Sequence, residues 1–207
     1  MYNDGMSISN QDITRVFYAK IPKNVLPPTP HCIARKLEID ACNSEKVKRE
    51  KAFVWALLEF ALETLYSLSP DDVVFTKTEQ GKWLCENFHF SLSHSKNVVA
   101  VALSSAPVGI DVQTVLPTRE SLAKKILSKD EFDNFLNLSV TEKDLFFTRV
   151  WTEKESAFKA SNENNIFASN TNDDLSFTTK KLDIENDVYL LTVATQNKEV
   201  AFNEIEL

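Results

Sequence analysis

Residues 88–113 read FHFSLSHSKNVVAVALSSAPVGIDVQ, and this stretch predicts three strands separated by two polar turns. The alternation of apolar and polar residues in 88–95 is typical of a half-buried strand that runs into a polar loop. Residues 97–103 are almost continuously apolar, which predicts a buried strand. Residues 108–112 form the third strand, and we expect it to pair with the second as a hairpin.

Two long helices are predicted outside this stretch. Residues 44–65 carry apolar side chains at helical spacing, Ser44 is a suitable N-cap, and the first turns are rich in lysine and arginine. Residues 141–161 predict the second long helix. Thr141 is its expected N-cap, with Asp144 at the position where a capping box usually has Glu or Gln.

The rest of the chain supplies further strands and short helices, which together predict an α+β body with two lobes. Strands are expected at 13–21, 72–77, 175–182, 188–195 and 199–205; short helices at 119–127 and 129–138, the latter capped by Ser128; a turn at 79–82; and loops at 27–30 and 162–174.

Composition limits the classes of function. The 207 residues are 43% hydrophobic and 26% charged, as in ordinary soluble globular proteins. The net charge of −7 argues against nonspecific nucleic-acid binding, so any anionic ligand needs a local basic patch. No apolar run is long enough to span a membrane, and we expect no secretion signal, because residues 1–12 lack a basic start and an apolar run. We therefore expect a cytoplasmic protein whose three cysteines are free thiols.

Residues 151–159, WTEKESAFK, place the candidates Glu155 and Lys159 on one helical face with Trp151. Trp151, Glu155 and Lys159 are spaced four apart and therefore line up. Taken alone, this pattern favours an ordinary ion pair on a solvated helix, worth about 0.2–0.5 kcal/mol.

Asp111 ends an apolar strand. By strand alternation it lies on the same face as Gly109 and Gln113, opposite Ile110. An acid in this position suits a hard cation such as magnesium, which takes a few carboxylates together with phosphate oxygens and water. In isolation, an edge-strand aspartate without a metal is the more frequent case.

His94 lies among three serines, in SLSHS at 91–95. Imidazole and hydroxyl donors suit a phosphate, but a histidine that caps backbone groups is equally consistent. A serine hydrolase built on Ser93 or Ser95 is a third interpretation. It lacks the GxSxG elbow, and adjacent Ser and His do not easily form a relay. His31 and His89 receive no function.

The three motifs together are more specific than any one of them. SxSHS, then GID about 15 residues later, then WxxKExxxK about 40 residues further on, resembles the 4′-phosphopantetheinyl transferase superfamily. The similarity is to its surfactin-synthetase-activating type. It extends over roughly residues 37–207 and includes FTKTEQGKW at 75–83 and AKKILSKDEF at 123–132.

The resemblance implies a fold and an activity. Two similar α/β lobes, 1–106 and 107–207, would be related by a pseudo-twofold axis in a monomer. The enzyme would transfer the 4′-phosphopantetheine group of coenzyme A to a serine of an apo acyl or peptidyl carrier protein. The reaction would release 3′,5′-ADP and require magnesium. The alternative is a coenzyme A or nucleotide-binding module of the same fold with little or no transferase activity.

The resemblance also implies the site residues. Asp111 and Glu155 would bind magnesium, with Gln113 where the family often has a third acid. Glu155 would take the proton of the incoming serine, directly or through water, and Lys159 would neutralise or protonate the leaving group. Coenzyme A would be bound by His94 and Ser93 near the 3′-phosphate, by Gly81 and Lys82 near the adenine, and by Arg49 or Lys51 at the helix start.

A carrier protein would also need a docking surface. Lys124, Lys125 and Lys129 flank the apolar pair at 126–127 and would complement an acidic carrier helix. A solvated helix face is equally consistent with this pattern.

Overall fold

The computed structural model describes residues 13–79, 81–161 and 174–207. These residues form nine strands, five α-helices and one 3₁₀ turn at Pro70–Asp72. The elements are, in chain order, β1 (Ile13–Lys20), α1 (Ile33–Asp40), α2 (Glu45–Tyr66), β2 (Phe75–Lys77), β3 (Trp83–Cys85), β4 (His89–Ser95), β5 (Val98–Ser104), β6 (Val108–Thr114), α3 (Glu120–Ile126), α4 (Lys129–Leu136), α5 (Val140–Ala160), β7 (Ser176–Ile184), β8 (Asp187–Thr195) and β9 (Glu199–Glu206). The predicted loop at 162–174 lies, except for its last residue, outside the described residues.

Two main sheets organise the chain, which confirms the α+β class. The first has the order β4-β5-β1-β9, and the second has the order β6-β8-β7. Both sheets are antiparallel except for β9, which runs parallel to β1. A small hairpin joins β2 to β3.

The two sheets share one connectivity. In each, a first strand leads to a long helix and then to two strands, the second of which returns to pair with the first. In the first sheet the chain runs from β1 through α2 to β4 and β5, and β5 pairs with β1. In the second sheet it runs from β6 through α5 to β7 and β8, and β8 pairs with β6. The last strand, β9, then adds to the first sheet beside β1, so the end of the chain crosses back to the beginning.

The layers follow from strand alternation. Odd-numbered residues of β5 pack toward α2, together with Trp55 and Leu58. Even-numbered residues of β5 pack instead against β6 and β8, together with Tyr18 and Ile110. Helix α5 covers the remaining face of β6 and β8. The layers therefore follow one another in the order α2, first sheet, second sheet, α5. A third cluster of buried apolar side chains joins α3, α4 and α5.

Most of the predicted elements are confirmed. Ser44 is the N-cap of α2, where its hydroxyl accepts from Val47 N, and Ser128 forms a full capping box with Glu131. Helix α1 and strand β3 were not predicted. The strand expected at 72–77 is shorter: Asp72 belongs to the 3₁₀ turn, residues 73 and 74 connect the two elements, and β2 begins at Phe75.

Two local predictions are wrong. Strands β5 and β6 do not form a hairpin, because both edges of β5 are occupied by β4 and β1, so β6 pairs with β8 in the other sheet. Thr141 does not cap the second long helix. Ser139 precedes that helix, and its backbone N–H donates to Glu142 Oε2 at 2.9 Å. Asp144 instead accepts from Thr118 N at 2.8 Å.

None of the helices in the described ranges is both long enough and apolar enough to cross a bilayer.

Gly109 sets the distance between β6 and α5. A Cβ atom built there would lie 1.8 Å from the backbone oxygen of Ser156 and 2.6 Å from Ala160 N. Both atoms belong to a helix backbone, which cannot move aside as a flexible side chain could.

We therefore expect Gly109→Ala to destabilise the protein by about 3 kcal/mol or more, at the upper end of overpacking effects. Urea unfolding of the wild type and the variant measures this difference. Asn134→Ala, on the exposed face of α4, is the control and should change the free energy of unfolding by less than about 0.5 kcal/mol. Wild-type stability in Gly109→Ala would contradict the packing described here.

Candidate active site

Three serines of β4 join the two sheets. Alternation places their hydroxyls on one face of the strand, toward β6, and each accepts a hydrogen bond from a backbone amide of β6. The pairs are Ile110 N to Ser91 at 3.1 Å, Val112 N to Ser93 at 3.0 Å and Thr114 N to Ser95 at 3.1 Å. The three serines thus accept hydrogen bonds from backbone N–H groups along the edge of β6 that does not pair with β8, and they fix the position of β6 against β4.

Asp111 lies at the centre of this junction and is only 7% exposed. Its Oδ1 accepts from Ser93 Oγ at 2.9 Å and from Lys159 Nζ at 2.7 Å. Lys159 Nζ also donates to the backbone oxygen of Ile110 at 2.9 Å. Strand β4, strand β6 and helix α5 therefore meet at one buried carboxylate. The prediction that Asp111 and Gly109 lie on the same face of β6 is confirmed. Gly109 packs against α5, and Asp111 contacts Lys159 of the same helix.

Glu155 lies one helical turn before Lys159 and is half-buried. Burial raises the pKa of its carboxyl, the charge of Asp111 raises it further, and Lys159 opposes both effects. Two carboxylates that repel each other across a partly desolvated space are suited to sharing a cation. Gln113, on the Asp111 face of β6, is partly exposed.

The donor set fits magnesium, which commonly takes one or two carboxylates and completes its shell with water and substrate phosphates. Within the described ranges, no group of three or more His, Cys, Asp or Glu side chains is arranged to hold a metal. Asp111 and Glu155 would therefore hold such an ion with help from a substrate and water.

His94 projects from the opposite face of β4, toward α2. Its Nδ1 lies 3.2 Å from Oε2 of Glu50, a buried carboxyl on α2. Burial lowers the pKa of His94 to about 4, and the charges of Lys159, Arg35 and Lys51 contribute in the same direction. Burial also raises the pKa of Glu50. The imidazole is therefore neutral at pH 7.

A cavity of about 670 Å³ opens beside His94, between α2, β4 and the end of α5. Its cationic lining consists of Arg35, Lys51, Lys82 and Lys159, and its aromatic lining of Trp83, Phe90 and Phe158. The acidic body thus has the local basic site that an anionic ligand requires. Volumes of roughly 300–1,000 Å³ are usual for small-molecule sites.

The structure places the remaining predicted residues as follows. Lys51 lines the cavity, whereas Arg49 faces residues 22–25, where it donates to Val25 O at 2.6 Å and to Pro22 O. Lys82 donates to Lys159 O at 2.9 Å, and burial lowers its pKa.

The turn before Lys82 contains Gly81, whose φ of +89° favours glycine. The Ser93 hydroxyl faces β6 rather than the cavity that His94 lines.

The sequence did not predict functional roles for Arg35, Glu38 or Glu50. Arg35 is 5% exposed and lines the cavity, and among the described residues its Nε is a buried nitrogen without a hydrogen-bond partner. Glu38 accepts from Arg35 at 3.0 Å and from Lys51 at 2.9 Å. An Arg–Glu pair at i,i+3 was the available signal, but helix α1 itself was not predicted.

Glu38 holds these cations in place. Burial by itself would raise its pKa, but hydrogen bonds from Lys51, Lys77 and Trp83 and the charge of Arg35 lower the pKa to about 2. Because the folded pKa lies below the ordinary value of 4.5, the stabilisation is complete above pH 4.5 and is lost as the pH falls toward 2.

Glu38→Gln should therefore lower the free energy of unfolding by about 2 kcal/mol at pH 7, as for hydrogen bonds to charged groups. The difference from the wild type should shrink between pH 4.5 and about 2. Urea unfolding at a series of pH values measures it, with Glu86→Gln at an exposed position as control. A difference that stays constant over this range would contradict the assignment.

Comparison with known proteins gives a family match over the second half of the chain. The sequence model of the 4′-phosphopantetheinyl transferase superfamily matches residues 107–196. Similar curated proteins include 4′-phosphopantetheinyl transferase psf-1 of Bacillus pumilus, 30% identical over 106 residues, and Sfp of Bacillus subtilis strain 168, 32% identical over 106 residues. A third is gsp of Aneurinibacillus migulanus, 29% identical over 105 residues.

These alignments cover 50% of this chain and between 44% and 47% of the relatives, so the chain spans about half the length of the proteins it matches. The family match contains Asp111, Glu155 and Lys159, the residues that meet between β6 and α5. The similarity of this chain to the 4′-phosphopantetheinyl transferase superfamily, predicted from its motifs, is thereby confirmed.

Proposed function

We propose that this protein is a magnesium-dependent 4′-phosphopantetheinyl transferase. It moves the phosphopantetheine arm of coenzyme A to a serine of an apo acyl or peptidyl carrier protein and releases 3′,5′-ADP. One observation carries the proposal: Lys159 lines a basic cavity together with His94, and the same ammonium donates to Asp111, whose charge also acts on Glu155.

Coenzyme A is the anionic substrate in this proposal. Lys51, His94 and Arg35 bind its 3′-phosphate, and the turn at Gly81 and Lys82 lies near the adenine. The presence of both cationic and aromatic side chains in the cavity lining supports this assignment, since a nucleotide presents phosphates and a flat base.

Magnesium would be held by Asp111 and Glu155, with the amide oxygen of Gln113 as a further ligand or as a partner of bound water. When bound, the ion neutralises charge on the pyrophosphate of coenzyme A.

The protein's own groups provide positioning and proton transfer. The carrier serine forms a bond to the phosphorus of the phosphopantetheine arm, and the anhydride P–O bond to 3′,5′-ADP breaks. Lys159, already beside Asp111 at 2.7 Å, neutralises the departing ADP oxygen. Glu155 receives the serine proton through a water molecule, and its raised pKa favours that role.

The two halves, 1–106 and 107–207, are proposed to be pseudo-twofold related lobes of a monomer that acts in the cytoplasm. The shared strand–helix–strand–strand connectivity of the two sheets supports the symmetry. The cavity receives residues from both halves, among them Lys51 and Lys159, which is where a substrate between two lobes would bind.

The carrier is proposed to dock on α3 and the start of α4. Lys124, Lys125 and Lys129 are exposed there. Leu127, expected as an apolar contact, is instead buried in the third cluster, and Leu122 is the exposed apolar side chain of α3, at 45%. Lysines around an apolar side chain would complement an acidic carrier helix and speed its association.

The activity is tested by incubating the protein with coenzyme A, magnesium and apo carrier proteins of fatty-acid, polyketide and nonribosomal-peptide types. We expect the mass of at least one carrier to increase by one phosphopantetheine group. Asp111→Ala should abolish this gain, whereas Asp183→Ala, an exposed acid on β7, should retain it. Coenzyme A binding without modification of any carrier would support the binding module instead, and modification by Asp111→Ala at the wild-type rate would contradict the site.

Charge reversal tests the docking surface separately. We expect Lys124→Glu combined with Lys125→Glu to raise KM for the carrier about tenfold at low salt, since like charges then face each other. KM for coenzyme A should not change. Lys181→Glu combined with Lys198→Glu, two exposed lysines outside α3 and α4, serves as the charge-matched control. An unchanged KM for the carrier would exclude α3 as its docking site.

A further inference from the structure

The hydrogen-bonding capacity of His94 is constrained by a second residue. Glu50 is 7% exposed, and its Oε2 lies 3.2 Å from His94 Nδ1. One ring nitrogen is therefore committed to Glu50, and Nε2 is the nitrogen left for a ligand in the cavity that His94 lines.

The number of protons on this pair decides what Nε2 can bind. A neutral imidazole carries one N–H. If Glu50 is ionised, that N–H lies on Nδ1 and donates to Glu50, so Nε2 is an acceptor and repels phosphate oxygens. Nε2 becomes a donor when the pair holds one more proton, either as imidazolium with carboxylate or as neutral imidazole with protonated Glu50.

The surroundings favour the one-proton state in the free protein. Burial opposes protonation of His94, and so do the positive charges of Lys159 on α5, Arg35 on α1 and Lys51 on α2. The negative charge of Asp111 on β6 favours protonation more weakly. Burial raises the pKa of Glu50, but Lys46, one turn earlier on α2 and 3.7 Å from the carboxylate, opposes that effect and stabilises the ionised form.

A bound phosphate reverses this balance. Its two negative charges would offset the cations and favour a donor at Nε2. We propose that Glu50 is a positioning residue for His94, and that binding of a phosphate group of coenzyme A adds one proton to the Glu50–His94 pair. The inference rests on the proposed function, because it takes coenzyme A as the ligand.

Proton uptake makes affinity depend on pH. With one proton taken up, the Kd of coenzyme A should increase about tenfold for each pH unit above neutrality, until the pair no longer protonates in the complex. A merely structural role of Glu50 would change affinity or stability without this dependence.

Isothermal titration calorimetry near pH 7, in buffers of different ionisation enthalpy, counts the protons directly. For the wild type we expect an uptake approaching one proton per coenzyme A. Glu50→Gln should bind coenzyme A with an uptake near zero, because the amide can donate to Nδ1 and leave an N–H on Nε2. His94→Gln should likewise bind without uptake, since its amide N–H donates to phosphate directly.

Two controls separate this effect from general changes. Dephospho-coenzyme A, which lacks the 3′-phosphate, should bind the wild type without proton uptake if that phosphate is the group at Nε2. Glu59→Gln removes the carboxylate from a comparable pair, since Glu59 Oε2 lies 3.1 Å from His31 Nδ1, outside the cavity lining. This variant should keep the wild-type proton number.

The outcomes are distinct. Binding of coenzyme A to the wild type without proton uptake overturns this inference alone, as does an equal uptake by the wild type and both Glu50→Gln and His94→Gln. Uptake that persists with dephospho-coenzyme A overturns the assignment to the 3′-phosphate. Failure of the folded wild type to bind coenzyme A overturns the proposed function, and this inference with it.

Discussion

The contact of Lys159 and Ser93 with the carboxylate of Asp111 determines the geometry of the whole site. A nearly buried carboxylate is costly unless charged and hydrogen-bonded groups satisfy it, and here the ammonium lies at 2.7 Å and the hydroxyl at 2.9 Å. The ammonium comes from α5 and the hydroxyl from β4, so one acid orients both elements against β6. Gly109 permits the contact, because any side chain there would displace α5.

Much of this site could be predicted from local periodicity. Helical spacing placed Glu155 and Lys159 on one face, and strand alternation placed Asp111 with Gly109. The same alternation divides SLSHS into serines that bind β6 and a histidine that faces α2. Arg35 and Glu38 were missed because helix α1 was not predicted, and the hydrogen bond from Trp83 to Glu38 joins residues 45 positions apart, which local periodicity does not reveal. The partner of β6 also depends on a distant strand, β8.

Acidic side chains paired with the cationic side chains and the histidine of the cavity explain how an acidic chain maintains a basic cavity. Glu38 binds Arg35, Lys51 and Lys77, and Glu50 binds His94. Each carboxylate reduces repulsion among the cations and fixes their positions before any ligand enters. The family match covers the second half of the chain, whereas Arg35, Glu38, Glu50 and Lys51 belong to the first. The first half thus contributes three of the four cationic side chains that line the cavity in the described part of the chain, Arg35, Lys51 and Lys82, whereas the acids Asp111 and Glu155 belong to the second half.

Anomalous scattering from a crystal grown with coenzyme A and manganese would test the central claim most directly. We expect one anomalous peak, from a manganese ion between the carboxylates of Asp111 and Glu155 and within coordination distance of an oxygen of the pyrophosphate. The nucleotide should lie in the cavity beside His94 and Lys51. Coenzyme A bound in that cavity with the peak at other residues, or with no peak, would contradict it.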